Sequence, residues 1–122
     1  SFYVVTNRET IKALAASSPY AGCAADAPAL IVSAYRKDGR FPAYAPIDLS
    51  IANENLWLEA DSLGLGGVWL GIAPLEDRMH AVEQILSMPP TLRAFAIFAL
   101  GHPAESRPQQ DRFDESRIHL VP

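Results

Sequence analysis

Apolar positions along the chain fall into short β-branched or aromatic runs that alternate with stretches of helical spacing. Phe2 to Thr6 is aromatic and β-branched and predicts a strand. Asn7 fits a helix N-cap, and Arg8 to Ala16 places Ile11, Leu14 and Ala15 on one helical face. Ser17 to Gly22, with Pro19 inside it, breaks that helix. Ala27 to Tyr35 contains Leu30-Ile31-Val32, the continuous apolar run of a buried strand. Arg36 to Pro46 is polar, carries Gly39, Pro42 and Pro46, and predicts a loop. The longest helix is predicted to start at Asp48 as N-cap, with Leu49, Ala52, Leu56, Ala60 and Leu63 forming one apolar stripe. Gly64 then fits a left-handed helix stop. Gly67 to Ile72 predicts a strand, and Leu75 to Leu86 a helix with Met79, Val82, Ile85 and Leu86 inward. Pro89-Pro90 ends that helix, Ala94 to Leu100 is a further apolar strand, and a polar tail begins at Gly101. The alternation implies a sheet with helices packed on it, in one domain spanning residues 1–122.

Composition narrows the function classes. Hydrophobic residues make up 49% and charged residues 20%, enough apolar material for a core. The formal net charge of -4 argues against general affinity for nucleic acid or anionic membranes, which need clustered Lys and Arg. No apolar run is long enough to span a bilayer. Cys23 is the only cysteine, so no intrachain disulfide forms, which favours a reducing compartment and a cytoplasmic location. His80, His102 and His119 lie too far apart in sequence to show metal-ligand spacing.

The glycine-rich segment Gly64-Leu65-Gly66-Gly67-Val68-Trp69-Leu70-Gly71 is the most distinctive local feature. It does not fit the dinucleotide fingerprint, which needs a strand before the glycines and a helix after them. Here the order is helix, glycines, strand, and the helix end beside the glycines carries the dipole that repels phosphate. Gly66 and Gly67 leave room for a flat group to approach the backbone. Trp69 is a candidate for lining a pocket, and Trp57 for the core or an interface. Glu54 and Glu59 do not share a helix face, and Ser50 and Ser62 lack any partnered His and Asp. In the tail, Arg107, Arg112 and Arg117 lie among acidic residues, and one of them could clamp a phosphate.

Four blocks in order resemble one family. Asp48 to Leu56, followed by Glu59 to Gly71, resembles the central helix and next strand of the nitroreductase family. Leu100-Gly101-His102-Pro103-Ala104-Glu105 is similar to that family's "LGYPAE" turn, and Asp111-Arg112-Phe113-Asp114 to its basic C-terminal element. Phe2 to Glu9 resembles the strand that follows the family's "QPW" motif.

This resemblance implies an α+β fold, a mainly antiparallel sheet flanked by helices. It also implies that the sequence is N-terminally truncated, without the family's first FMN-binding segment. The implied activity is an FMN-dependent oxidoreductase that moves electrons from NAD(P)H to a small-molecule acceptor such as a nitroaromatic or a quinone. The alternatives are a non-catalytic flavin-binding or structural member, or a specialised one such as a reductive dehalogenase. The implied assembly is a homodimer with FMN at its interface and the long helix at its centre. Trp69, Leu70 and Gly71 match the segment along the flavin ring, with Gly66 and Gly67 just before it. Gly71 lacks the hydroxyl found there in some relatives, which tilts the chemistry toward hydride transfer. Arg112 matches the basic residue that reaches the FMN phosphate, with Arg107 and Arg117 as alternatives.

Overall fold

The computed structural model describes residues 1–121. Strand β1 spans Phe2–Val5, β2 Ala29–Arg36, β3 Gly66–Gly71 and β4 Leu92–Gly101. Helix α1 spans Arg8–Ala15, α2 Ala45–Ser62 and α3 Glu76–Ile85. The four strands form one antiparallel sheet in the order β1-β2-β4-β3. β2 and β4 are central, and β1 and β3 are its edges. The sheet flanked by helices is the α+β architecture expected from the sequence.

Each face of the sheet is covered by different helices. On one face, Ile11 and Leu14 of α1 and Met79 and Val82 of α3 pack with Leu30, Val32, Leu70, Ile72 and Ile97. This is the main apolar core, and strand alternation sends every second residue into it. The opposite face carries α2, where Leu49, Asn53 and Ala60 are buried.

The α1 start agrees with its sequence signal. Asn7 Oδ1 accepts from the Thr10 N–H at 3.0 Å, satisfying one of the free donors of the first turn. The end of α2 agrees as well, since Gly64 adopts φ 72°, a left-handed conformation that glycine reaches without cost from a Cβ.

The start of α2 differs from the expectation. The helix begins at Ala45, and Asp48 lies in its first turn and not at the N-cap. The reason is the pair of prolines. Pro42 opens a 3-10 turn through Tyr44 that runs straight into the helix. Pro46 sits in the first helical turn, where a missing N–H costs no hydrogen bond. The segment expected to be a loop to Pro46 therefore includes this turn and the helix onset. The apolar stripe also differs: Leu63 is 65% exposed, past the end of the sheet-facing row.

A buried polar residue occupies the row instead. Asn53 Nδ2 donates to Ser33 Oγ at 2.9 Å and to the Leu49 carbonyl at 2.8 Å. Ser33 Oγ in turn donates to the Ala96 carbonyl of β4. One side chain thus links α2 to both central strands, and its geometry fixes where the helix sits on the sheet. Asn53→Ala leaves Ser33 without its buried donor and opens a small cavity. The expected cost is about 1–3 kcal/mol, read as a lower midpoint in urea unfolding, with Asn55→Ala on the exposed side as the near-neutral comparison.

Candidate functional site

The site builds outward from β3. β3 pairs with β4 from Gly66↔Gly101 to Gly71↔Ala96, so its far side is an open sheet edge. Along it, Leu70 turns into the core and is 8% exposed, while Gly67 and Trp69 face the α2 side. Leu70 therefore anchors the strand with its side chain, and only its backbone faces the edge.

The glycines of this segment do three different jobs. A Cβ at Gly67 would lie 2.1 Å from Cζ of Phe98, so the ring of Phe98 occupies the space a side chain would need. At Gly66 a Cβ would meet Pro103 at 3.4 Å, an ordinary contact with the turn that follows β4. At Gly71 nothing lies within 4 Å, and the residue is exposed. Open approach to the backbone thus belongs to Gly71, at the end of the strand.

An aromatic set borders that end. Register between β2 and β4 shifts between Ser33↔Ala96 and Ala34↔Ala94, which leaves Phe95 as an extra residue on β4. Phe95 meets Trp69 edge-on, with ring centroids 5.8 Å apart, and Tyr35 at 6.4 Å. Both contacts have the T-shaped geometry favoured by aromatic quadrupoles. Trp57 of α2 packs edge-on against Phe98 at 5.5 Å, so its ring belongs to the helix–sheet contact while remaining 37% exposed.

One group that the sequence did not single out meets this end of β3. Arg78, in the first turns of α3, donates from Nη1 to the Gly71 carbonyl at 3.3 Å. Its guanidinium carbon lies 5.5 Å from the centroid of the Tyr20 ring. Nothing in the spacing of the sequence pairs residue 78 with residue 71, because the turn between them decides the contact.

A second hollow, of about 710 Å³, lies at the other end of β3. Gly66 and Gly67 line it with Cys23, Asp26, His102 and Glu105. Among the described residues, no group of His, Cys, Asp and Glu could hold a metal ion. Arg93 is engaged elsewhere: it bridges Glu83 and Glu76 at 2.8 and 2.5 Å on the α3 side. Hydrogen bonds donated to Glu83 first, then to Glu76, hold its guanidinium well above the usual arginine range.

The tail arginines separate by partner. Arg107 pairs with Glu105 and Arg117 with Asp114. Hydrogen bonds from Ser116 and the pairing with Arg117 hold the Asp114 carboxyl below the usual carboxylate range. Arg112 bonds only the side-chain oxygen of Gln110, at 3.2 and 2.8 Å, and lines a shallow exposed hollow with Gln109 to Phe113. The structure groups Trp69, Leu70 and Gly71 on one strand end and Gly66 and Gly67 on the other. Arg112 stands apart from both, on the exposed tail.

The antiparallel sheet thus ends its edge strand in an open glycine beside a half-buried tryptophan. The chain belongs to the nitroreductase family, whose model matches residues 4–102. A relative from Methanothermobacter thermautotrophicus, provisionally named an NADH dehydrogenase/NAD(P)H nitroreductase, is 42% identical over 120 residues. The match spans 98% of this chain and 63% of the relative, so the chain covers less than two thirds of that protein's length. A crystal structure from Bacteroides thetaiotaomicron with the same provisional name superposes with a TM-score of 0.93 at 32% identity, covering 98% of this chain and 70% of that one. An FMN-dependent nitroreductase from Clostridium difficile R20291 shares the fold, with a TM-score of 0.91 at 22% identity over 98% of this chain and 73% of that one.

The contrast between the glycines gives a direct expectation. Gly67→Ala forces its methyl into the Phe98 ring and destabilises the protein by roughly 1–3 kcal/mol, as overpacking in a filled core does. Gly71→Ala meets open space and leaves the thermal midpoint within about a degree or two, because surface changes usually stay within about 0.5 kcal/mol. Thermal denaturation of the two variants side by side checks both. A Gly67→Ala midpoint equal to wild type would show that the ring of Phe98 is free to move aside.

Proposed function

We propose that the protein is an FMN-dependent oxidoreductase that accepts hydride from NAD(P)H and passes electrons to a small acceptor such as a nitroaromatic or a quinone. The observation that carries this reading is Gly71: an exposed residue at the end of an edge strand, open above its Cα and bordered by Trp69. FMN, when bound, supplies the hydride and electron chemistry, and the protein supplies binding and orientation. The residues fit a flat ring. Leu70 anchors the strand in the core, Gly71 allows close approach of the backbone, and Trp69 is braced by Phe95. No hydroxyl is available at Gly71 to bond the ring, so backbone groups are the polar contacts there.

Arg112 is the best of the tail arginines for the phosphate. Its two competitors are paired with carboxylates, while the guanidinium of Arg112 bonds only a neutral amide. A planar guanidinium suits bidentate contact with phosphate. The tail has to close over the site for this contact to form.

The proposed assembly is a homodimer through α2. That helix is apolar on both sides: Leu49 and Ala60 face the sheet, while Ile47, Ile51 and Leu58 are 56%, 59% and 59% exposed. Exposed apolar side chains grouped on one helix are a mark of an interaction surface. No helix among the described residues is long and apolar enough to cross a membrane, so a protein surface is the natural cover. The free thiol of Cys23 suits the reducing cytoplasm.

Two experiments test the reading on the intact protein. Titration with FMN, followed by flavin fluorescence, is expected to show binding, and the bound form is expected to oxidise NAD(P)H with a nitroaromatic acceptor. Protein that takes up no flavin sinks the proposal. Arg112→Ala is expected to weaken FMN binding by roughly one to two orders of magnitude, the size of a charge-assisted contact. Arg117→Ala is the control. If only Arg117→Ala weakens binding, the phosphate contact belongs to Arg117.

For the assembly, Ile51→Glu places a charge in the middle of the exposed α2 face. It is expected to shift the protein from dimer to monomer in sedimentation velocity, since a stable interface of about 1,200–2,000 Å² is intolerant of an unpaired buried charge. A dimer unchanged by Ile51→Glu would move the interface off this face.

A further inference from the structure

We propose that Arg78 is a positioning residue for the flavin: it clamps the Gly71 carbonyl at the end of β3 and holds a permanent positive charge beside the ring. This inference rests on the placement of FMN along Trp69 to Gly71 proposed above.

The geometry comes from the return of the chain after β3. The strand ends at Gly71, the chain turns, and α3 starts at Glu76. The first turns of α3 therefore come back past the strand end, and Arg78 reaches the Gly71 carbonyl at 3.3 Å. Gly71 has no side chain and lies at the end of an edge strand, where no further strand braces the backbone. On that open side the bond from Arg78 is what holds the Gly71 carbonyl. Because the peptide group is planar, holding its carbonyl also fixes the direction of the N–H on the same peptide. Arg78 thus sets the orientation of backbone polar groups at the point where the ring is proposed to lie.

The charge of Arg78 has no carboxylate partner among the described residues. Besides Asp77, the carboxylates of its own helix are Glu76 and Glu83, both bridged by Arg93. Asp77 is exposed, and among the described residues Arg78 forms no ion pair. What holds the guanidinium is the ring of Tyr20, 5.5 Å away. Stacking on an aromatic face restrains the group without cancelling its charge. The N-terminal turn of α3 adds the positive end of a helix dipole on the same side. Since a guanidinium stays charged at all ordinary pH, this field is constant.

A fixed positive charge beside a flavin favours the more electron-rich, reduced form over the oxidised one. A merely structural arginine, tying α3 to β3, would leave the balance between the two forms unchanged. The two roles are therefore separable by the midpoint potential of the bound flavin.

The test compares wild type, Arg78→Gln and Arg78→Lys as intact, FMN-loaded proteins, by dye-coupled redox titration and FMN titration. Glutamine keeps an N–H for the Gly71 carbonyl but removes the charge, and lysine keeps the charge. We expect Arg78→Gln to lose about tenfold in preference for reduced over oxidised flavin, a fall of about 30 mV for the two-electron couple. Arg78→Lys should recover most of that loss. A glutamine variant with wild-type potential overturns the inference while leaving the FMN site intact. A lysine variant as low as glutamine overturns the role of the charge. Wild-type protein that takes up no FMN overturns both the inference and the functional reading beneath it.

Discussion

The ring of Phe98 is the element on which the other parts depend. It sits in the middle of β4, is 1% exposed, and fills the space that a side chain at Gly67 would take. It also receives Trp57 edge-on from α2. One side chain therefore covers the bare start of β3 and supplies the platform for the long helix. Full burial of such a ring contributes about 1.5–3 kcal/mol, a sizeable share of the net stability of a small domain. It also explains why the glycine-rich strand is ordered at all. Glycines weaken a strand by their backbone entropy, and here a neighbouring aromatic ring occupies the space they leave.

The division of labour among the glycines follows from that packing. At Gly67 the absent side chain serves the core, and at Gly71 it serves access. The two are four residues apart on the same strand and face, so their difference comes from what stands opposite each of them. Phe95, extruded by the irregularity between β2 and β4, braces Trp69 next to the open position. The edge strand is thus rigid along its length and bare at its end, a combination suited to holding a flat ligand against backbone.

Helix α2 joins the fold to its proposed assembly. Its inner side is registered on the sheet by Asn53 and Ser33, a polar contact that tolerates little sliding. Its outer side carries Ile47, Ile51 and Leu58, which are exposed among the described residues. A helix fixed precisely in position on one side presents a well-defined apolar surface on the other, which favours association in one geometry. The proposed flavin site lies at the open edge of β3, between this helix on one face and α3 on the other.

Much of the architecture was written locally. The strands around Leu30 to Val32 and Ala94 to Leu100, the Asn7 cap and the Gly64 stop are carried by neighbouring residues, so their signals survive without tertiary context. The ordered blocks shared with the nitroreductase family pointed to the antiparallel sheet, and the strand expected from Gly67 to Ile72 forms one residue earlier, from Gly66 to Gly71. The start of α2 was misplaced because a proline reads as a breaker, although within a first helical turn it is accommodated. Asn53 went unnoticed because a polar side chain in an apolar row looks like solvent exposure until its partner, twenty residues earlier, is brought beneath it. The separate tasks of Gly67 and Gly71, the bracing of Trp69 by Phe95 and the reach of Arg78 to Gly71 were decided by tertiary structure alone. Each depends on which atoms from a distant segment fill the space beside a residue, and local sequence does not encode that.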